Sequence, residues 1–218
     1  MKTFGKLLTL ILLAAFTGSA LAYFIIRGEG TFRHRHIHSS IINKKEEEGL
    51  TLKRLKQHSS LARVFARSNG YNTGYCLFID LKILSGKKRC FVYNLENDSV
   101  ELAGLVTHGS GSDKGGESLS FSNKPNSYST SLGRYRIGQR YWGRFGLAYK
   151  LYGLDDSNNQ AFERFVVLHA HPCVPADEVA PATICESWGC PTLAPGFLSS
   201  VKKYIDQSKK PVLLWIYY

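Results

Sequence analysis

No two of the chain's five cysteines are spaced Cys-x2-Cys, and Asp and Glu number 17 against 28 Lys and Arg. The first absence removes the zinc patterns built on paired thiolates. Cys185-x4-Cys190 and the scattered histidines therefore imply no metal, and no cofactor is expected. The second absence leaves a formal net charge of +11. A field of that sign favours anionic partners such as wall polymers, lipid headgroups or nucleic acid. The loop His108-Gly109-Ser110-Gly111-Ser112 lacks a Lys-Ser/Thr pair and no helical pattern follows it, so it is not a phosphate loop. Charged residues (21%) and apolar residues (44%) occur at the levels of a globular chain, which excludes disorder along most of its length.

What is present begins with an export pattern. Lys2 and Lys6 precede an uncharged run from Leu7 to Ile26, and Ala20-Leu21-Ala22 reads as a cleavage site before Tyr23. Residues 1–22 are thus a signal peptide, or residues 7–26, long enough to cross a bilayer, are a membrane anchor. Both readings place the rest of the chain outside the cytoplasm, in the periplasm or cell envelope, and speak against nucleic acid as the partner. Residues 23–50 read as a linker. Its alternating His34, His36 and His38 fit a solvated basic segment better than a metal tract. One domain, expected to be monomeric, is left over 51–218.

Within it Leu52, Leu55, Leu61, Ala62 and Phe65 recur at helical spacing, and Asn69-Gly70 supplies a stop. Tyr75 to Leu84 alternates as a strand, with Cys76 and Phe78 on one face and Leu77, Ile79 and Leu81 on the other. Cys90–Leu95 and Ser99–Thr107 follow as strands, and Gly143 to Leu154 reads as a strand pair. The fold class is mostly β with a minor α component: a β-sandwich or partly closed barrel with a few helices.

The chemistry concentrates between Arg164 and Thr192. The buried strand Phe165-Val166-Val167-Leu168 delivers His169, and the stretch closes with Ser187-Trp188-Gly189-Cys190-Pro191. A thiolate is the reactive form of cysteine, and a nearby imidazole lowers the thiol pKa, so Cys190 and His169 read as nucleophile and base. Gly189 lets backbone N–H groups turn toward a developing oxyanion. His171 and His108 compete with His169 for the base. An odd cysteine count in an exported chain leaves at least one thiol free, and that thiol is expected to be Cys190. Cys173 and Cys185 bracket the loop between His169 and Cys190, where a bridge would brace both. A second bridge is drawn between Cys76 and Cys90, across two strands.

This stretch resembles the murein L,D-transpeptidases, in which a strand ends in His and an S-x-G-C motif carries the nucleophile. The match is to the group whose motif ends G-C-P, here Gly189-Cys190-Pro191. Further motifs of that group stand in the same order: Val106-Thr107-His108-Gly109, Phe121-Ser122-Asn123-Lys124-Pro125, and Thr130-Ser131-Leu132-Gly133-Arg134-Tyr135-Arg136-Ile137-Gly138. Thr130 stands where Ser is usual, and Ala170-His171-Pro172-Cys173 stands where Gly, Ala and an aromatic residue are commoner in the group. The resemblance covers about 51–218, including a helix near Phe197–Gln207 and a strand from Pro211 to Tyr218.

It implies an L,D-transpeptidase-like fold and a cysteine acyltransferase acting on peptidoglycan stem peptides. Cys190, His169, Gly189 and Ser187 would be catalytic, and His108, Gly109, Ser122, Asn123, Tyr135 and Trp188 would bind substrate. Arg134, Arg136 and Arg140 are further candidates for holding substrate carboxylates. Hydrolysis by the same pair, as an L,D-carboxypeptidase or peptidoglycan cysteine peptidase, is the neighbouring reading. A non-enzymatic, disulfide-stapled cell-wall-binding module is the reading without chemistry.

Overall fold

The structure, a computed structural model, describes residues 45–116 and 118–218. The signal or anchor, the linker up to residue 44 and the alternating histidines lie outside the described residues. The chain divides into two units, Met1–Leu50 and Thr51–Tyr218. Residues 45–50 of the first are helical, as Lys, Glu and Leu favour. In the second, helix α1 occupies residues 51–69. Its buried stripe is Leu55, Ser59, Ala62 and Ala66, at the spacing of one helix face. Leu52 and Leu61, expected to be inward, point out instead, Leu61 being 53% exposed. Small residues occupy the contact because the helix lies close against the sheet; a leucine at position 59 or 62 would hold it off.

Three strands follow as an antiparallel meander: β1 (Tyr75–Asp80), β2 (Cys90–Asn94) and β3 (Ser99–Gly104). A single turn of 3₁₀ helix, Ser110–Ser112, lies in the loop beyond. β4 (Gly133–Gly143) and β5 (Gly146–Gly153) form a hairpin. β6 (Val167–Ala170), β7 (Thr192–Leu193), helix α2 (Pro195–Asp206) and β8 (Leu213–Tyr217) complete the chain. Proline opens α2 at a position where its missing N–H is not needed. The strands form one eight-stranded mixed sheet in the order β3-β2-β1-β8-β4-β5-β6-β7. β8 runs parallel to β1 and antiparallel to β4. β6 is antiparallel to β5 and parallel to β7.

The fold is therefore mostly β, with two helices among the described residues, and its strands share a single sheet. That sheet curls without closing. Val106, just beyond β3 at one edge, bridges to Leu193 of β7 at the other. The strand expected to run from Ser99 to Thr107 stops at Gly104 because the chain leaves the β2 ladder there and crosses to the far edge.

Alternation along β1 sorts its side chains between two cores, as the sequence pattern predicts. Leu77, Ile79 and, beyond the strand, Leu81 join Leu198 and Val201 of α2. Cys76 and Phe78 join Leu55, Ala62 and Ala66 of α1. Each fully buried Leu, Ile or Phe contributes roughly 1.5–3 kcal/mol.

The same alternation overturns the Cys76–Cys90 bridge. Cys76 pairs with Tyr93 and Cys90 with Ile79, and the two thiols lie in different cores on opposite faces of the sheet. Both are free and buried. Cys173 and Cys185 are bridged, with a Cα–Cα distance of 6.1 Å, and Cys190 is free. Iodoacetamide is accordingly expected to label Cys190 alone in the native protein. Denaturation without reductant should raise the count to the three free thiols. Replacing Cys173 and Cys185 by Ser should lower unfolding free energy by about 2–4 kcal/mol, read from denaturant melts. An unchanged midpoint would remove the brace.

Candidate active site

Parallel pairing of β6 and β7 sets His169 opposite Thr192. Because strand side chains alternate, Cys190, two residues before Thr192, falls on the same face as Thr192 and His169. All three line one cleft of about 360 Å³, together with Thr107, Arg144, Phe145, His171, Glu186, Ser187 and Trp188. The nucleophile candidate is held from the backbone. Its Sγ accepts the Val167 N–H at 3.5 Å, and its thiol points at the Phe165 carbonyl, 3.8 Å away. Phe165 was expected to open the strand. Instead its φ is +57° and its ring is 83% exposed, because the chain turns there before β6 begins at Val167.

His169 is buried with both ring nitrogens engaged. Nδ1 lies 3.1 Å from the Ala170 carbonyl, and Nε2 lies 3.0 Å from Thr192 Oγ1. A carbonyl only accepts, so Nδ1 carries the proton of the neutral ring and Nε2 holds the lone pair. The orienting group is thus a main-chain carbonyl, and no Asp or Asn is required. The Phe145 ring stacks on His169 at 5.2 Å and meets His171 edge-on at 5.4 Å.

The charge states differ from a preformed ion pair. Burial raises the Cys190 thiol pKa, against the Val167 N–H and the Arg164 charge, which lower it. Burial also lowers the His169 pKa, with the Ala170 carbonyl opposing and His171 reinforcing the shift. Both shifts favour the neutral forms at neutral pH. The expectation that the imidazole lowers the thiol pKa gives way to desolvation, which penalises both charges.

The turn before Cys190 is built by close backbone approach. Gly189 has φ +106°, and a Cβ there would lie 2.8 Å from the Ser129 carbonyl oxygen. A Cβ on Gly109 would lie 2.1 Å from the Tyr128 oxygen and 2.8 Å from Gly189 Cα. Only glycine at both positions lets the two loops meet. They are then zipped together. Ser187 N–H donates to His108 O at 2.9 Å, and Ser110 N–H donates to Ser187 O at 2.8 Å. The Ser187 hydroxyl donates to His108 O at 3.2 Å and accepts the Gly189 N–H at 3.2 Å. Thr130 uses the hydroxyl it shares with the more usual Ser, accepting the Gly109 N–H at 2.9 Å.

The expected site residues separate into two layers. Cys190, His169, Ser187 and Trp188 face the cleft, Trp188 with its ring 78% exposed and edge-on to Tyr128. The others are not among its lining residues. His108 is buried, its Nδ1 taking an N–H from Arg89 at 2.9 Å. Ser122 offers its carbonyl to Arg164 and to the Ser131 hydroxyl. Asn123 bonds Asp156 O and Asn159 Oδ1. Tyr135 is fully buried and donates to Ser131 O at 2.7 Å, so its phenol reaches no ligand in the cleft. Arg134 pairs with Asp155, Arg136 lies over Tyr152, and Arg140 pairs with Asp206 at 2.6 Å. The arginine in the cleft is Arg144, which the sequence reading passed over as part of a strand pair although the Gly143 and Gly146 flanking it mark the hairpin tip. Arg164 was missed as well. It binds Ser122 O, Ser129 O and the hydroxyls of Ser127 and Ser131, tying the 122–131 loop beneath Gly189.

With this geometry in place, comparison supplies the lineage. The L,D-transpeptidase catalytic domain matches residues 45–217. The chain belongs to that family. Solved structures similar to this L,D-transpeptidase domain are 12–14% identical to it. An L,D-transpeptidase from Xylanimonas cellulosilytica is 14% identical over 70% of this chain and 67% of its own, with a TM-score of 0.37. The helical cell shape determining protein Pgp2 of Campylobacter jejuni is 13% identical over 65% of this chain and 46% of its own, with a TM-score of 0.41. The L,D-transpeptidase LdtMt1, solved with imipenem, is 12% identical over 66% and 58%, with a TM-score of 0.37. The chain thus spans between 46 and 67% of the lengths of these structures. None of the curated proteins compared with it matches.

A thiol and an imidazole that share a cleft and are both shifted toward neutrality by burial fix an expected pH response. Iodoacetamide should react with Cys190 faster as pH rises, with a midpoint above the ordinary thiol value. Turnover at low substrate should fall on the acid side as His169 protonates, with a midpoint below the ordinary imidazole value. A thiolate already formed at pH 5, seen as fast and pH-independent alkylation, would contradict the neutral pair.

Proposed function

We propose that this domain is a peptidoglycan L,D-transpeptidase working through an acyl-enzyme on Cys190. One observation carries the reading: a free, partly exposed thiol shares a cleft with an imidazole whose tautomer leaves Nε2 unprotonated. Family membership supports the chemistry and the wall polymer as its object. A binding module with a bridged Cys190 is disfavoured, because the bridge joins Cys173 to Cys185.

In the proposed cycle the tetrapeptide stem places the carbonyl between diaminopimelate and D-Ala at Cys190. The Thr192 hydroxyl turns from Nε2 to the Cys190 carbonyl, 3.3 Å away, freeing the lone pair. His169 Nε2 takes the thiol proton as sulfur attacks. The tetrahedral oxyanion is received by backbone N–H groups around Gly189 and Cys190, worth about 3–4 kcal/mol per donor. The Gly189 N–H, held by Ser187 at rest, becomes available by a small turn of that hydroxyl. The C–N bond breaks, imidazolium His169 gives its proton to the leaving D-Ala amine, and a thioester remains. An incoming amine then attacks the thioester and the thiol is regenerated. A second stem's side-chain amine gives a 3→3 cross-link, a D-amino acid gives exchange, and water gives L,D-carboxypeptidase activity. Export by the signal or anchor at the N-terminus would bring the domain to the wall.

The test is mass spectrometry of tetrapeptide muropeptides incubated with the purified chain and with Cys190→Ala. The expected result is loss of D-Ala with dimers joined through two diaminopimelate residues, in the wild type only. Tripeptides without dimers would assign the carboxypeptidase. Unchanged muropeptides with both proteins would remove the acyl-transfer reading. His169→Gln should lower the rate by about 10² to 10⁴ with the product spectrum unchanged.

A further inference from the structure

Arg164 is a partly buried cation whose charge the fold leaves unanswered. Its guanidinium donates to the Ser122 and Ser129 carbonyls at 3.0 and 2.8 Å and to the hydroxyls of Ser127 and Ser131. All four acceptors are neutral. Other arginines of the domain find carboxylates: Arg54 pairs with Asp80, Arg134 with Asp155 and Arg140 with Asp206. Among the described residues no carboxylate pairs with Arg164. Neutral donors could tie the same loop. Drawing a charge partly out of water to do it costs free energy unless an anion answers that charge.

The guanidinium lies against the nucleophile loop. Nη2 is 3.4 Å from the position a Cβ on Gly189 would take, one residue before Cys190. The segment that carries it also wraps the sulfur. The Cys190 thiol points at the Phe165 carbonyl, and the Val167 N–H reaches Sγ. Between Arg164 and Val167 the backbone of Phe165 takes φ +57°, which a side chain with a Cβ disfavours, and its ring is left 83% exposed. The conformation gains no packing for Phe165 itself. Strain of this kind is kept where it places functional groups, here a guanidinium on one side and an N–H on the other.

The anion that fits is the one the cysteine forms. Of the ionisable groups around Cys190, His169, His171, Arg144 and Glu186 line the cleft with it. Burial holds the Tyr135 phenol protonated, and burial lowers the His169 pKa, so neither supplies a charge at rest. The Arg164 charge opposes the burial that raises the Cys190 thiol pKa. The effect is mutual, because Cys190 favours the charged form of Arg164 against burial.

We propose that Arg164 is the fixed counter-charge of the nucleophile, offsetting the negative charge that develops on Cys190 as its proton passes to His169. A cation built into the loop then does what a standing imidazolium would otherwise have to do. Arg164 is not among the residues lining the cleft, so it is a positioning residue that acts through the Gly189 loop and its field. Its part in turnover rests on the acyl-transfer reading above; its effect on the thiol does not.

The test follows iodoacetamide alkylation of Cys190 against pH in the purified full chain, a readout that needs no substrate. Arg164→Gln keeps amide donors for the loop and removes the charge. Its midpoint should rise by about one pH unit. At pH 8 alkylation should slow about 3- to 10-fold, the smaller figure because a thiolate of higher pKa is also the better nucleophile. Arg164→Lys loses the fork and keeps the charge. It should titrate near the wild type although its melting temperature falls as far as that of Arg164→Gln. A midpoint unmoved in Arg164→Gln, or raised equally in both variants, overturns the proposal, since an equal rise reports a displaced loop. Arg164→Met takes the place of Arg164→Gln if the latter does not melt cooperatively. If neither neutral variant folds, the arginine serves the fold and the proposal is lost. D-Ala release from a tetrapeptide stem is read on the same proteins. The kcat should fall about 10-fold in Arg164→Gln with KM unchanged and recover in Arg164→Lys. Equal kcat in the wild type and Arg164→Gln also overturns the proposal. Release by none of them, with the midpoint shift present, removes the acyl-transfer reading and leaves the counter-charge.

Discussion

Everything at the cleft depends on the contact between two glycines on separate loops. Gly109 and Gly189 approach so closely that a side-chain carbon on Gly109 would overlap the other's backbone. That approach lets Ser187 and Ser110 exchange hydrogen bonds with the facing loop, which sets where β7 begins. β7 in turn pairs with β6, and this pairing brings Thr192 and Cys190 onto the face of His169. A two-residue strand holds little energy by itself. Its register is secured from outside, by Arg164 beneath Gly189, by Thr130 on Gly109 and by the Thr107 N–H donating to Thr192 O at 3.0 Å. A substitution at either glycine is expected to act on catalysis through register rather than through any lost contact with substrate.

Much of this order was legible in the sequence because it is written in local patterns. Alternation along β1 assigned Leu77, Ile79 and Leu81 to one face and Cys76 and Phe78 to the other, and both cores follow it. The disulfide bracketing the loop was a candidate from position, and the fold rather than the sequence fixes its connectivity. The second bridge failed on the same rule of alternation, applied to register: Cys76 and Cys90 are offset along paired strands and face opposite ways. The helix stripe was read as Leu52, Leu55, Leu61, Ala62 and Phe65, whereas the sheet accepts Leu55, Ser59, Ala62 and Ala66. Sequence spacing gives a helical period but not which side a helix presents when both sides carry leucine.

The site divides along a similar line. Cys190 and His169 could be placed because one ends a motif and the other a hydrophobic strand. The supporting layer was harder to separate from the lining. Motif positions such as Ser122, Asn123 and Tyr135 look alike in sequence whether they touch a ligand or hold a loop, and their hydrogen-bond partners decide between these. Arg144 and Glu186 carried no motif. Their place in the cleft comes from the hairpin tip and the turn into the S-x-G-C loop, which are tertiary facts.

The resting charge state fits the proposed acyl transfer, in which amines and water compete for the thioester. A standing thiolate–imidazolium pair would keep an imidazolium in the cleft, where it attracts water and protonates incoming amines. Desolvation keeps both groups neutral here, and the Phe145 ring covers one face of the imidazole. The charge then appears only when a substrate carbonyl is in place to receive the electrons. Thr192 manages the interval, its single hydroxyl proton serving Nε2 or the Cys190 carbonyl but not both. In the proposed cycle the same neutral Nε2 is ready, after acylation, to deprotonate an acceptor. The acceptor's own charge becomes the remaining discriminator, because an ammonium must lose a proton before it can attack the thioester.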